Sequence, residues 1–244
     1  MLIKYIKLER IIKNVFKRID FYIDTIYYLV KEINTNMKIQ LACDFNKTED
    51  ALKLLEKVVD DVDIIEIGTD LMFGSGSDAI REVKSKYPNK TVLADLKVMD
   101  GGRELGELVF NSGADIMTVL GVAPKETIQA ACECAKKYGK QICVDMINVT
   151  DQVSKAKDYV SWGADLLCVH TADDQKENVT FYHMLKDYVK EVGAGKCSIA
   201  GGMNPTNIKE IRKYNPEVIV VGGYITGSPD PKKAVSEIRD AING

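Results

Sequence analysis

Histidine is scarce in this chain: 244 residues contain only His170 and His183. His183 lies in the helix-patterned stretch FYHMLKDY, where a lone imidazole is usually solvated or packed, so too few remain for a zinc site of two or three histidines. No C-x-x-C pair occurs among the six cysteines at 43, 132, 134, 143, 168 and 197. Four of them sit inside apolar strand-like runs such as QICVD and LLCVH, the setting of buried reduced thiols rather than of disulfides or zinc ligands. A reduced, cytoplasmic protein is therefore expected. There is no basic excess either. A formal net charge of −3 argues against a general nucleic-acid binder. No run approaches the roughly 18 uninterrupted apolar residues of a membrane span, so no membrane partner is expected.

What is present is an ordinary globular composition, 45% hydrophobic and 28% charged, enough for one large domain or two small ones. Residues 1–36 stand apart from the rest. Ile11, Ile12, Val15, Phe16, Ile19, Tyr22, Ile23, Ile26, Leu29, Val30 and Ile33 recur at steps of three and four, the period of an amphipathic helix. Charges interrupt every stretch that would serve as the core of a signal peptide. Two readings stay open: a helical extension that packs on a partner or a membrane surface, or a native start at Met37. The second is preferred, because MKIQLACD is itself a convincing first strand.

From Met37 to Gly244 the chain alternates. Apolar runs KIQLACD, VDIIEIG, TVLADLK, ADIMTVLG, QICVDMI, ADLLCVH, KCSIAGG and EVIVVGG are each followed by a helix-patterned stretch. The runs are continuously apolar, as in strands buried on both faces. Eight strand–helix units in just over 200 residues predict an α/β fold, a (β/α)8 barrel. An open doubly wound sheet is less favoured, since no G-x-G-x-x-G follows the first strand. No repeat beyond the strand–helix period is apparent.

Barrel enzymes carry their chemistry at the carboxyl ends of the strands. Here those ends hold Asp44, Glu66, Asp95 with Lys97, Asp145 and His170, while the last two strands end in Gly201-Gly202 and Gly222-Gly223. A single strand-end Asp often does no more than cap the next helix. Several ionisable groups on one rim are different, because the acids would repel one another unless a cation or substrate balanced them. Glu66 and Asp95 on neighbouring strands offer hard oxygen ligands that suit Mg²⁺, with Mn²⁺ as a substitute. The glycine pairs would let a phosphate approach backbone N–H groups closely.

The segments LACD, VDIIEIGT, VLADLKVMDGG, GADIMTVLGVA, GKQICVDMINV, GADLLCVHTADDQ, IAGGMNP and VIVVGGYITGSPDP run in order through all eight strands. Together they resemble the 3-hexulose-6-phosphate synthases, a branch of the orotidine-5′-phosphate decarboxylase suprafamily, whose signature D-x-K-x-x-D stands here as Asp95, Lys97 and Asp100. The resemblance implies a Mg²⁺-dependent aldol addition of formaldehyde to D-ribulose 5-phosphate. It implies metal ligation by Glu66 and Asp95, enediolate stabilisation by Lys97, and proton transfer by His170 aided by Asp145. It also implies substrate contacts from Asp44, and a homodimer in which Asp100 reaches the neighbouring site. The sister branch, the 3-keto-L-gulonate-6-phosphate decarboxylases, shares these charges. That branch carries arginines near the positions of Asp173 and Gly223, and a Glu in place of Asp145. The synthases usually have Tyr where Asp173 stands.

Overall fold

The computed structural model describes residues 37–172 and 182–244. Expectations for residues 1–36 and for Asp173 fall outside that range, as does the side chain of His183. The strands are β1 Lys38–Cys43, β2 Ile64–Ile67, β3 Thr91–Val98, β4 Ile116–Leu120, β5 Gln141–Asp145, β6 Leu166–His170, β7 Cys197–Ala200 and β8 Val218–Val221. They pair in parallel, each with its sequence neighbours, and β8 returns to β1 to close the barrel. The main helices are α1 Thr48–Val58, α3 Ser77–Lys86, α4 Gly102–Asn111, α5 Lys125–Tyr138, α6 Gln152–Ser161, α7 Tyr182–Val192, α8 Pro205–Ile211 and α10 Pro231–Asn243. Two further helices were not anticipated: α2 Thr69–Ser75 and α9 Gly223–Thr226, both at the start of a connection leaving a strand end. Each is too short to register a 3.6-residue period.

Alternation along each strand divides its side chains between two cores. Leu41, Ile65, Ile67, Val92 and Ala94 point outward into the large layer shared with the helices. Ala42, Ile64, Leu93, Ile116, Cys143, Leu166, Cys168, Val218 and Val220 fill the barrel interior. Gln40, Glu66, Asp95, Thr118, Asp145 and Ser198 are the buried polar members of the same strands. All six cysteines are unpaired and buried, and burial pushes the Cys132 and Cys197 thiols up to about 12, far from reactivity. Among the described residues no helix is long and apolar enough to cross a membrane.

A repeat not read from the sequence emerges at the amino ends of the strands. Asp63, Asp115 and Asp165 each immediately precede an even-numbered strand, about fifty residues apart. Each accepts the backbone N–H of the preceding odd strand: Ile39 at 2.8 Å, Val92 at 2.9 Å and Ile142 at 2.9 Å. The fold thus pins three strand pairs, β1–β2, β3–β4 and β5–β6, at the face remote from the polar rim.

Candidate active site

β3 is irregular where it matters. Its register to β4 runs Leu93–Ile116 and Ala94–Met117, then shifts, so that Val98 pairs with Val119. The extra length is a bulge containing Asp95, Leu96 and Lys97, and Lys97 adopts φ 45°, a left-handed conformation uncommon outside glycine. The bulge is held from β4. The Lys97 N–H donates to Thr118 Oγ1 at 2.9 Å, and Thr118 Oγ1 donates to Asp95 Oδ1 at 2.7 Å. On the other side Thr69 Oγ1 donates to Asp95 Oδ2 at 2.8 Å and accepts from Lys97 Nζ at 2.9 Å. Lys97 Nζ also pairs directly with Asp95 Oδ2. Burial opposes the charged lysine, but the charge and hydrogen bond of Asp95 outweigh it and raise its pKa further.

Glu66, on β2, is buried and accepts a hydrogen bond from Gln40 Nε2 at 2.7 Å. Burial, reinforced by the nearby Asp95 charge, holds its carboxyl well above the usual carboxylate range, with Gln40 pulling partly back. Asp44 lies just past β1, its carboxylate pressed against Gly68, where an added Cβ would stand 2.1 Å from Oδ1. Gly68 is therefore required by close approach, since any side chain there would displace Asp44.

Asp145 closes β5, with Oδ1 accepting the Ile147 N–H at 2.9 Å and Oδ2 bound to His170 Nδ1 at 2.8 Å. Burial alone would pull the imidazole down, yet the Asp145 hydrogen bond and charge outweigh it and push His170 up to about 9. His170 thus stands above the ordinary imidazole value near ~6.5, with Asp145 as the cause.

A cavity of about 620 Å³ at the carboxyl ends of the strands is lined by Asp44, Glu66, Asp95, Lys97 and His170. Gly201, Gly202, Gly222 and Gly223 form part of the same wall, with Asn204 and Tyr224 beside them. Gly201 takes φ 106° and packs so tightly on the Thr171 carbonyl that a Cβ would lie 2.6 Å away. Asp145 stands behind His170 rather than in the wall. Asp100 is not brought to this cavity. It is exposed and accepts the Gly101 N–H at 2.7 Å. Sequence reasoning missed Gln40, Gly68, Thr69 and Thr118. A signal existed for two of them, since Gln40 and Thr118 are isolated polar residues inside the apolar runs KIQLAC and IMTVL.

Hard oxygen donors on adjacent strands, buried and repelling one another, make Glu66 and Asp95 a chemically fitting pair for a divalent cation. Among the described residues no three His, Cys, Asp or Glu side chains converge on one point, so water and substrate oxygens would complete the shell.

A family profile described as the orotidine 5′-phosphate decarboxylase / HUMPS family matches residues 37–238. A 3-hexulose-6-phosphate synthase 2 of Staphylococcus saprophyticus is 41% identical over 208 residues, covering 85% of this chain and 98% of the relative. The crystal structure of 3-hexulose-6-phosphate synthase from Salmonella typhimurium superposes with a TM-score of 0.81 at 40% identity, covering 84% of this chain and 98% of the other. A 3-keto-L-gulonate-6-phosphate decarboxylase from Vibrio cholerae gives a TM-score of 0.76 at 27% identity, covering 85% and 97%.

Proposed function

This chain belongs to the orotidine 5′-phosphate decarboxylase / HUMPS family, and from that premise we propose that it is a 3-hexulose-6-phosphate synthase. The reaction is the aldol addition of formaldehyde to D-ribulose 5-phosphate, giving D-arabino-hex-3-ulose 6-phosphate. The observation that carries the reading is that Glu66, Asp95 and Lys97 share one cavity with His170, which Asp145 backs. Identity of about 40% to synthases over nearly the whole barrel supports it.

Backbone N–H groups at Gly201-Gly202 and Gly222-Gly223 bind the phosphate, where the absence of side chains permits close approach. Asp44 accepts hydrogen bonds from substrate hydroxyls. A Mg²⁺ ion held by Glu66 and Asp95, or Mn²⁺ in its place, supplies Lewis-acid stabilisation to the substrate's oxygens when bound. The cation would bind the carboxylate form of Glu66, which burial and Asp95 disfavour. His170, once neutral, takes a C1 proton from the pentulose and is held in orientation by Asp145. The Lys97 ammonium stands as fixed positive charge for the resulting enediolate. As C1 bonds to formaldehyde, the proton on His170 passes to the aldehyde oxygen, so the addition is balanced without loss of any group. The functional unit is a homodimer, with Asp100 reaching the partner's cavity. Residues 37–244 suffice for the barrel, and residues 1–36 are accessory.

Side-by-side assays test this. Addition of formaldehyde to ribulose 5-phosphate, abolished by EDTA, is expected to exceed decarboxylation of 3-keto-L-gulonate 6-phosphate in kcat/KM by about 100-fold, or roughly 2.7 kcal/mol. Gly223 leaves the site without the arginine expected of a decarboxylase at that position, and so favours a neutral electrophile. Equal or reversed efficiencies would remove the synthase reading.

A further inference from the structure

We infer that Thr118 is a positioning residue that fixes the Asp95–Lys97 bulge in its working shape. The inference rests on the roles proposed for those two side chains. The polarity of the contact leaves no choice. The backbone N–H of Lys97 has only a proton to offer, so Thr118 Oγ1 accepts it at 2.9 Å and turns its single proton toward Asp95 Oδ1, 2.7 Å away. One hydroxyl therefore ties the backbone of Lys97 to the carboxylate of Asp95, across the site where β3 loses register with β4.

Thr118 is itself buried, at 6% exposure, and sits on a regular strand, so its position is set by the barrel and not by the bulge. Lys97 stands in the left-handed region at φ 45°, a conformation that a non-glycine residue keeps only where its surroundings hold it. Without the hydroxyl, the Lys97 N–H loses its partner and Asp95 Oδ1 its donor, while the contacts on the Thr69 side remain. The carboxylate then turns about Oδ2, and the lysine backbone is free to relax toward the extended conformation. Both groups stay present but lose their aim.

The test compares Thr118→Val, which keeps shape and loses the hydroxyl, with Thr118→Ser, which keeps the hydroxyl. Three quantities are read: Mn²⁺ affinity by calorimetry without substrate, hydrogen exchange of the Lys97 amide, and steady-state kinetics. For Thr118→Val we expect Mn²⁺ affinity weaker by about tenfold, exchange at Lys97 faster by at least about tenfold, and kcat lower by about 30- to 100-fold. KM for ribulose 5-phosphate should stay within about threefold, since the phosphate wall lies elsewhere. Thr118→Ser should restore all three to within about fivefold. Should Thr118→Val fail to fold, Thr118→Ala serves the same comparison. Wild-type Mn²⁺ affinity and Lys97 exchange in the hydroxyl-free variant would overturn the inference, as would a Ser variant no better than Val, which would make Thr118 a packing residue. If the wild-type enzyme adds no formaldehyde to ribulose 5-phosphate, the proposed function fails, while the Mn²⁺ and exchange readings still decide the role of Thr118.

Discussion

At the scale of single residues, the site holds an acid and a base that are both raised, for different reasons. Glu66 is held above its ordinary range by burial and by Asp95, whereas His170 is raised to about 9 because Asp145 outweighs its burial. A base must shed its proton before it can accept another, so kcat/KM for the aldol addition is expected to climb with pH through a midpoint near 9. Asp145→Asn removes the partner that raises the imidazole and leaves burial, which lowers it. The variant should therefore turn over more slowly, with its rising limb displaced to lower pH; an unmoved limb would mean that His170 is not the group titrating. Glu66 supplies a second pH signature. A raised carboxyl favours the neutral form as pH falls, and cation binding needs the carboxylate, so Mg²⁺ should raise the melting temperature more at higher pH than at lower. Asp95→Asn should cancel most of that Mg²⁺-induced rise and most turnover while leaving the fold intact. Unchanged Mg²⁺ dependence in the folded variant would take Asp95 off the ligand pair.

At the scale of elements, the eight strands were legible because each apolar run has strand length and is bounded by charge or glycine. Asp95 and Lys97 were legible as charges at the carboxyl end of an apolar run. What the sequence concealed depends on registers that only the closed barrel creates. The bulge in β3 is defined by its mismatch with β4, and Thr118 gains its meaning only from lying opposite it. The close approach of Asp44 to Gly68 is likewise a contact between residues just past the ends of neighbouring strands. The acids that pin strand pairs belong to the same class. Asp115 receives Lys84 and Lys140, each at 2.6 Å, besides the Val92 N–H. Burial opposes its charge, but the hydrogen bonds from Lys140, Lys84 and Val92 outweigh it and lower its pKa. A depressed carboxyl stabilises the fold above the ordinary carboxylate range and loses that contribution as pH falls through its folded value. Asp115→Ala should therefore cost about 1–3 kcal/mol at neutral pH, chiefly by orphaning the Val92 N–H. Urea midpoints for variant and wild type should draw closer below about pH 4. A gap that stays constant with pH would show that the charge contributes nothing.

At the scale of the whole molecule, one residue of the Asp95–Lys97–Asp100 triplet does not join the others. The chain places Asp95 and Lys97 in the cavity wall and leaves Asp100 exposed beyond it, where its Oδ1 accepts the adjacent Gly101 N–H. An exposed carboxylate three residues past Lys97 has no part in the reaction, works within its own chain, or works in a second copy of the chain. These cases separate cleanly. Lys97→Ala and Asp100→Ala are each expected to be nearly inactive alone. In a mixed dimer, if Asp100 serves the partner, one of the two sites combines an intact Lys97 with an intact Asp100 contributed by the other chain. Random reassociation makes about half of the dimers mixed, and half of their sites whole, so about a quarter of wild-type activity should return. If Asp100 instead acted within its own chain, every site in the mixture would lack one group and no activity would return. If Asp100 has no catalytic part, the Asp100→Ala variant will be active before mixing. The experiment is best done on chains beginning at Met37, which should keep full activity and dimer mass by light scattering, because all eight strands of the closed barrel lie after that residue. Recovery on mixing, at that level and only after reassociation, would establish the dimer as the catalytic unit and give the last acid of the triplet its place.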